Sequence, residues 1–389
     1  MDTKEVARAT VHDNNEALIA LSHRIHDDPE LCFEEVHAAE WTAAALNEAG
    51  FAIETGVADL PTAYIASFGS GPLTIGICAE YDALPGVGHA CGHNVIAGAA
   101  VGAGLALAPL ADELGITVKV FGTPAEEGGG GKIIMLDNGV FDGVHAAMMV
   151  HPAPTELDRF PCLAVSHVDV HYHGKAAHAS AFPELGVNAA DALTVAQTSI
   201  GLLRQHIRQT DRIHGIVTYG GDAPNVVPER TSGKWYIRSS TLAELEDLEP
   251  KVHRCFEAGA LATGCSYEIV EASPKYSEME DDDVLRGLYR ANAEALGRVF
   301  PDLGEMGHRI VGSTDMANVS LAIPTIHPML GLGCYPVSNH QPEFAAFCAT
   351  PTADTALLDG AAAMAWTAID AATNGDVRDA LLARGEATA

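Results

Sequence analysis

The chain has 389 residues, 48% of them hydrophobic and 6% aromatic, with a formal net charge of −30 from 52 Asp and Glu against 22 Lys and Arg. That charge excludes nucleic acid and anionic membrane surfaces as partners, since both require a basic footprint. A soluble chain of this length exceeds one comfortable core, which predicts two domains.

Met1-Asp2-Thr3-Lys4-Glu5 carries no apolar run, so no signal peptide is expected. The eight cysteines (32, 78, 91, 162, 255, 265, 334 and 348) form no CxxC pair. They read as reduced core residues, Cys91 set apart, and the expected location is cytoplasmic. Residues 5–50 read as helical, interrupted at Asp28-Pro29-Glu30 and stopped at Gly50. Segments 63–68 and 73–79 read as strands, the second running into Glu80-Tyr81-Asp82-Ala83-Leu84-Pro85. A carboxylate there lies at the carboxyl edge of a sheet, where α/β proteins place ligands.

Gly88-His89-Ala90-Cys91-Gly92-His93-Asn94 opens a small-residue helix over 95–110. This most apolar stretch is too short and too rich in glycine and alanine for a comfortable membrane span, so a buried helix is predicted. A strand over 116–121 leads to Glu126-Glu127, then four glycines, 128–131, then a helix over 132–138. A third strand, 146–150, ends in His151-Pro152. Three apolar strands thus each end in a potential ligand or base.

The texture changes near residue 166. Strand 165–173 places His167, Asp169, His171 and His173 on one face; helices over 188–208 and 242–261 and strands over 213–219, 231–239 and 266–270 follow. The expectation is an α+β domain over 166–275, inserted between 1–165 and 276–389. Residues 279–283 read as an acidic surface boundary. Beyond them come a helix over 284–296, a polar turn at Gly312-Ser313-Thr314-Asp315, an extended run 324–330, a loop 338–344 and a closing Ala-rich helix over 353–372. The predicted fold class is α/β, a mixed, mainly parallel central sheet flanked by helices and interrupted by the smaller α+β domain.

Cys91, His93, Glu127, His151 and His340 are the candidate metal ligands. A Cys/His/Glu set suits Zn²⁺ best by softness, and Mn²⁺ or Co²⁺ can occupy such sets. Adjacent carboxylates repel each other, and a cation between them offsets this most directly. Of the pair, one glutamate ligates and the other serves as general base. The plainer reading, an acidic pair at a helix N-terminus, is weakened by the four poorly helical glycines. Asp82 reads either as the residue holding a ligand histidine or as a turn aspartate. His171 and His173 have a chelating spacing but no accompanying carboxylate or cysteine cluster, and read as a solvated sheet face.

Tyr81-Asp82-Ala83-Leu84-Pro85, His89-Ala90-Cys91-Gly92-His93-Asn94, Pro124-Ala125-Glu126-Glu127 with its glycines, and His151-Pro152 resemble the aminoacylase/carboxypeptidase-G-type metallopeptidases. Within them the match is to the branch of hippurate, auxin-conjugate and aminobenzoyl-glutamate hydrolases and β-alanyl-lysine dipeptidase-like members. The resemblance runs from His26 and Pro29-Glu30-Leu31 to His340 and Phe344. It implies a catalytic domain interrupted by a smaller lid domain that forms a homodimer. It also implies one or two divalent ions per subunit on Cys91, His93, Glu127, His151 and His340, with Glu126 as base. His178 matches a lid histidine that stabilises the oxyanion in a neighbouring subunit's site. Asn225 and Arg238 match residues that hold the substrate carboxylate or scissile carbonyl. Asn94 stands where many hippurate-type relatives carry Asp, which removes a negative charge beside the metals. The implied reaction is hydrolysis of a small N-acyl amino acid, aminobenzoyl-glutamate-like amide or dipeptide. The alternatives on the same fold are a deacylase of a different small amide or conjugate and a non-catalytic small-peptide binder.

Overall fold

The computed structural model describes residues 2–304 and 310–388. The chain divides into two compact units, Met1–Pro161 with Met279–Ala389, and Cys162–Glu278.

The first unit opens with helices Thr3–Asp13, Asn15–Asp27 and Val36–Glu48. Its strands follow: β1 (Ala52–Thr55), β2 (Tyr64–Phe68), β3 (Leu73–Glu80), β4 (Ile116–Thr123), β5 (Ala146–Met148) and β6 (His151–Ala153). The second unit carries β7 (Ala164–His173), β8 (Arg212–Tyr219), β9 (Arg230–Ser239) and β10 (Ser266–Glu271). The first unit resumes with β11 (Thr325–Ile326) and β12 (Met329–Gly331).

In the first unit six strands lie in the order β1-β2-β4-β3-β5-β11. The pairs β3–β4, β3–β5 and β5–β11 are parallel; β1–β2 and β2–β4 are antiparallel. The α/β class with a mainly parallel central sheet therefore holds. In β3 and β4 the register places Glu80 beside Thr123, so both strands end together and release residues 81–94 and 124–131 at one carboxyl edge.

Helix His93–Leu107 packs on this sheet, and its glycines have a steric reason. A Cβ at Gly98 would lie 2.5 Å from Leu357, and one at Gly102 would lie 2.9 Å from the Ala361 methyl. Small residues on both sides let this helix and Pro351–Thr373 approach closely. With the short turns after it, the stretch His93–Leu114 is apolar and long enough to cross a membrane by length and composition, yet 89% of its apolar window is buried inside the protein.

Five local expectations are corrected. The strand expected over 146–150 ends at Met148; His151 begins β6, which pairs parallel with β12 rather than with the central sheet. The extended run 324–330 is interrupted at Pro328, which has no N–H to donate to a ladder. Pro342 starts a helix, Pro342–Phe347, inside the expected 338–344 loop, at the N-terminal position where its missing donor costs least. The Ala-rich helix does not close the chain: Gly375–Thr388 is helical too, with the Asn374 side chain accepting from Val377 N. The acidic stretch 279–283 is not uniformly surface either. Met279 is buried, and the Asp281 side chain is 3% exposed beside Arg159 at 3.5 Å.

The second unit is a wholly antiparallel sheet, β10-β7-β9-β8. Alternation decides its two faces. Val168, Val170, Tyr172, Ile213, Trp235 and Ile237 join the hydrophobic core with helices Ala189–Leu203 and Leu242–Thr263. His167, Asp169 and His171 take the other face, and His171 hydrogen-bonds Ser232.

Candidate metal centre

Gly92 sets the first half of the site. Its φ of +81 is left-handed, and a Cβ there would meet Pro152 at 2.8 Å, so only glycine makes this turn between Cys91 and the helix that starts at His93. Glu126 and Glu127 follow β4 through Ala125, which is also left-handed (φ 58). Ala125 is held there from two sides. Its carbonyl accepts from Gly129 and Gly130, and its N–H donates to the buried Glu35 carboxylate at 2.9 Å.

Asp82 ties the halves together. One oxygen accepts from His93 Nδ1 at 3.0 Å, and the other accepts from the Glu127 backbone N–H at 2.9 Å. This turns His93 Nε2 toward the carboxylates, 3.4 Å from Glu80 and 3.9 Å from each of Glu126 and Glu127. His151 comes from β6, with Nε2 3.4 Å from Cys91 Sγ and Nδ1 against the Pro152 carbonyl. His340 (φ 69) donates its backbone N–H to Ala90 and lies with Nε2 3.5 Å from Cys91 Sγ and 3.7 Å from Glu127. Its side chain is 61% exposed, whereas the Glu126 and Glu127 side chains are 9% exposed and His93 is fully buried.

Among the described residues, potential ligand atoms fall into three groups, each within 4.8 Å: Cys91/His93/His151, Cys91/Glu127/His340 and Glu80/His93/Glu126. The first two share Cys91 and together contain all five residues singled out in the sequence. The donors fit a divalent cation. His93 Nε2 and Glu127 Oε1 are buried and have no hydrogen-bond partner, a costly condition unless a ligand satisfies them. Thiolate, imidazole and carboxylate are the donors that zinc-like ions take.

The electrostatics follow from burial. Burial, then the charges of Glu80 and Glu127, push the Glu126 carboxyl well above the usual range. Burial also raises Glu127 and the Cys91 thiol. For His93 burial works downward, but the Asp82 charge and hydrogen bond, with Cys91 and Glu80, hold it well above its ordinary value. Asp82 resists its own burial and sits at about 2, because His93 faces it. Burial and then His327 bring His151 to about 3, leaving the neutral ring a metal ligand needs.

Several residues here carried no sequence signal for a role. Lys132 is fully buried between Glu80 (2.5 Å) and Asp315 (2.7 Å). Glu80 was visible as a strand-end carboxylate, but nothing in the sequence linked it to a lysine 52 positions away. The Cys32 thiol donates to Asp82, and Asn339 donates to the Pro152 carbonyl. The Asn94 amide is turned into the packing, donating to Ser22 Oγ and the Cys348 carbonyl.

The remaining candidates belong to the second unit. His178 is exposed, and its Nδ1 accepts from the N–H groups of Ser180 and Ala181. Asn225 is exposed on the adjacent segment, where its carbonyl accepts from Ala179 N at 3.0 Å. Arg238 lies on β9, with Nε donating to His214 Nε2 at 3.3 Å.

A thiol, imidazoles and carboxylates gathered at the carboxyl edge of a mainly parallel sheet are what a metal-dependent hydrolase works with. Residues 76–366 match the peptidase family M20/M25/M40, and the chain belongs to that family. It is 37% identical over 383 residues to the Xaa-Arg dipeptidase of Mus musculus, covering 94% of this chain and 88% of the relative. The fold is shared with an aminobenzoyl-glutamate utilization protein from Klebsiella pneumoniae (TM-score 0.71, 19% identity, 92% of this chain and 96% of that one). It is shared also with a dinuclear metal-binding M20 peptidase from Bacillus subtilis (TM-score 0.61, 21% identity, 90% and 98%). The protein is a metal-dependent hydrolase of the amide bonds of small amides or dipeptides.

Proposed function

We propose that this chain is a dipeptidase whose first substrates to test are dipeptides with a basic carboxyl-terminal residue. The full-length likeness to the mouse Xaa-Arg dipeptidase favours this over N-acyl amino acids and aminobenzoyl-glutamate-like amides. The observation that carries the chemistry is the pair of donor groups sharing Cys91, with His93 Nε2 and Glu127 Oε1 buried and unpartnered beside Glu126.

Cys91, His93, Glu127, His151 and His340 hold one or two ions, zinc or manganese, with cobalt able to substitute. Such an ion supplies Lewis-acid polarisation of the scissile carbonyl and makes water acidic enough to give up a proton near neutral pH. Glu126 takes that proton and passes it to the departing amine; its raised affinity for protons suits a base that must later act as an acid. Asp82 keeps the His93 ring in the orientation and tautomer that direct Nε2 at the cluster. His178 donates to the developing oxyanion, and Asn225 and Arg238 anchor the substrate, Arg238 at its carboxylate.

A homodimer formed through the second unit is supported by its edge strand β8, where Ile216 is 64% and Val217 46% exposed. A cytoplasmic, reducing location is supported by eight cysteines that remain free thiols.

The test is amine release from a panel of dipeptides, N-acyl amino acids and aminobenzoyl-glutamate, run as purified, after chelation, and after adding Zn²⁺, Mn²⁺ or Co²⁺. The expected result is metal-restored cleavage of basic dipeptides. Restored cleavage of the N-acyl compounds alone overturns the dipeptidase reading and favours the deacylase.

A further inference from the structure

Around Arg238 the second unit builds more than the sequence suggested. On β9, Trp235 and Ile237 point into the helices, so Tyr236 and Arg238 share the opposite face. Register places His167 of β7 and His214 of β8 directly opposite Tyr236, one on either side. The three rings form a row across three strands, with centroids 4.1 Å apart for His167–Tyr236 and 5.7 Å for His214–Tyr236. Arg238 lies diagonal to His214 across the ladder, its guanidinium carbon 5.6 Å from the Tyr236 ring, and its Nε donates to His214 Nε2 at 3.3 Å.

That hydrogen bond admits one protonation pattern. Arginine only donates, so His214 Nε2 must carry its lone pair and the ring proton sits on Nδ1. Arg238 is half-buried, yet a guanidinium on a flexible stem still has several rotamers within reach, and a carboxylate that needs a bidentate grip must wait for the right one. An acceptor on Nε, with an aromatic ring beside the guanidinium, removes that freedom in advance.

We propose that His214 is a positioning residue that orients the Arg238 guanidinium for the substrate's carboxylate. The proposal rests on the reading that Arg238 binds this carboxylate. His214 itself touches no reacting atom. Burial, then the nearby cations Arg238 and Arg204, lower its proton affinity, which keeps the accepting form in place.

The experiment compares, on the metal-loaded full chain, a dipeptide with the same dipeptide ending in a carboxamide. The variants are His214→Ala, His214→Gln, Arg238→Ala and the Arg238→Ala/His214→Ala double. The expected result for His214→Ala is a KM for the free acid raised about 5- to 10-fold, the scale of one ordinary hydrogen bond. Its kcat stays within about twofold and its KM for the carboxamide is unchanged. Gln, whose carbonyl oxygen accepts, restores the acid's KM. In the double variant the His214 change adds nothing once Arg238 is gone. Equal losses on acid and carboxamide, or full additivity with Arg238→Ala, overturn the proposal. If Arg238→Ala leaves the acid-to-carboxamide ratio unchanged, the carboxylate reading falls first and takes His214 with it. If Arg238→Ala collapses the ratio while His214→Ala leaves it alone, only the His214 proposal falls.

Discussion

The two units carry their candidate residues under opposite conditions. In the first, Glu80, His93 and Lys132 are completely buried, and each charge is met by another charge or by a ligand atom. In the second, His178 and Asn225 are exposed, and Arg238 is half-buried on the sheet face turned away from the helices. A buried charge is tolerable only with a partner in place, so the first unit is a preset electrostatic assembly in which one deletion disturbs several groups. An exposed side chain keeps water as an alternative partner, so changes at His178 or Asn225 should cost the fold little.

The largest expected effect breaks the first unit's assembly outright: chelation abolishes amine release, and one of Zn²⁺, Mn²⁺ or Co²⁺ restores it. Metal-independent turnover would remove the distinction between the units. Next, Glu126→Gln lowers kcat by about 10²- to 10⁴-fold, the span of general-base catalysis. Metal content measured by elemental analysis stays the same; loss of metal would make Glu126 a ligand instead. Lys132→Met strips the cation from Glu80 and Asp315 and destabilises the protein by about 3–5 kcal/mol in denaturant titration, as expected for a broken buried pair. A loss below about 1 kcal/mol, the scale of an exposed pair, would mean these carboxylates are not held as charges. Asp82→Asn leaves the fold intact and weakens metal affinity about 10- to 100-fold, read by competition with a chromogenic chelator. The smallest effect belongs to the second unit. Asp247→Ala removes one partner of Arg208, at 3.0 Å, yet the pair is solvent-exposed and Arg208 keeps Glu244 at 3.4 Å, so the midpoint of thermal unfolding should not move.

What was legible in the sequence shares one property: it is local. The strands that release Asp82 and Glu126-Glu127, the Gly92 turn and the alternating face of β7 each follow from residues a few positions apart, through backbone sterics and hydrophobic period. The motifs carried the family as well, because their order and spacing belong to one chain segment each. Misplaced ends had local causes that compete closely. Pro342 can start a helix or punctuate a loop, and Asn374-Gly375 can end one helix or lead into the next.

Only tertiary structure decided which charges meet. Nothing in the sequence sets Lys132 between Glu80 and Asp315, commits the Asn94 amide to Ser22, or places His214 against Arg238. These pairs join segments separated by 24 to 183 residues, brought together by sheet register and helix packing. The sequence by itself determined the chemistry available and the strand ends that present it. The fold chose among the possible partners, since the energy of a buried charge depends on what stands a few ångströms away.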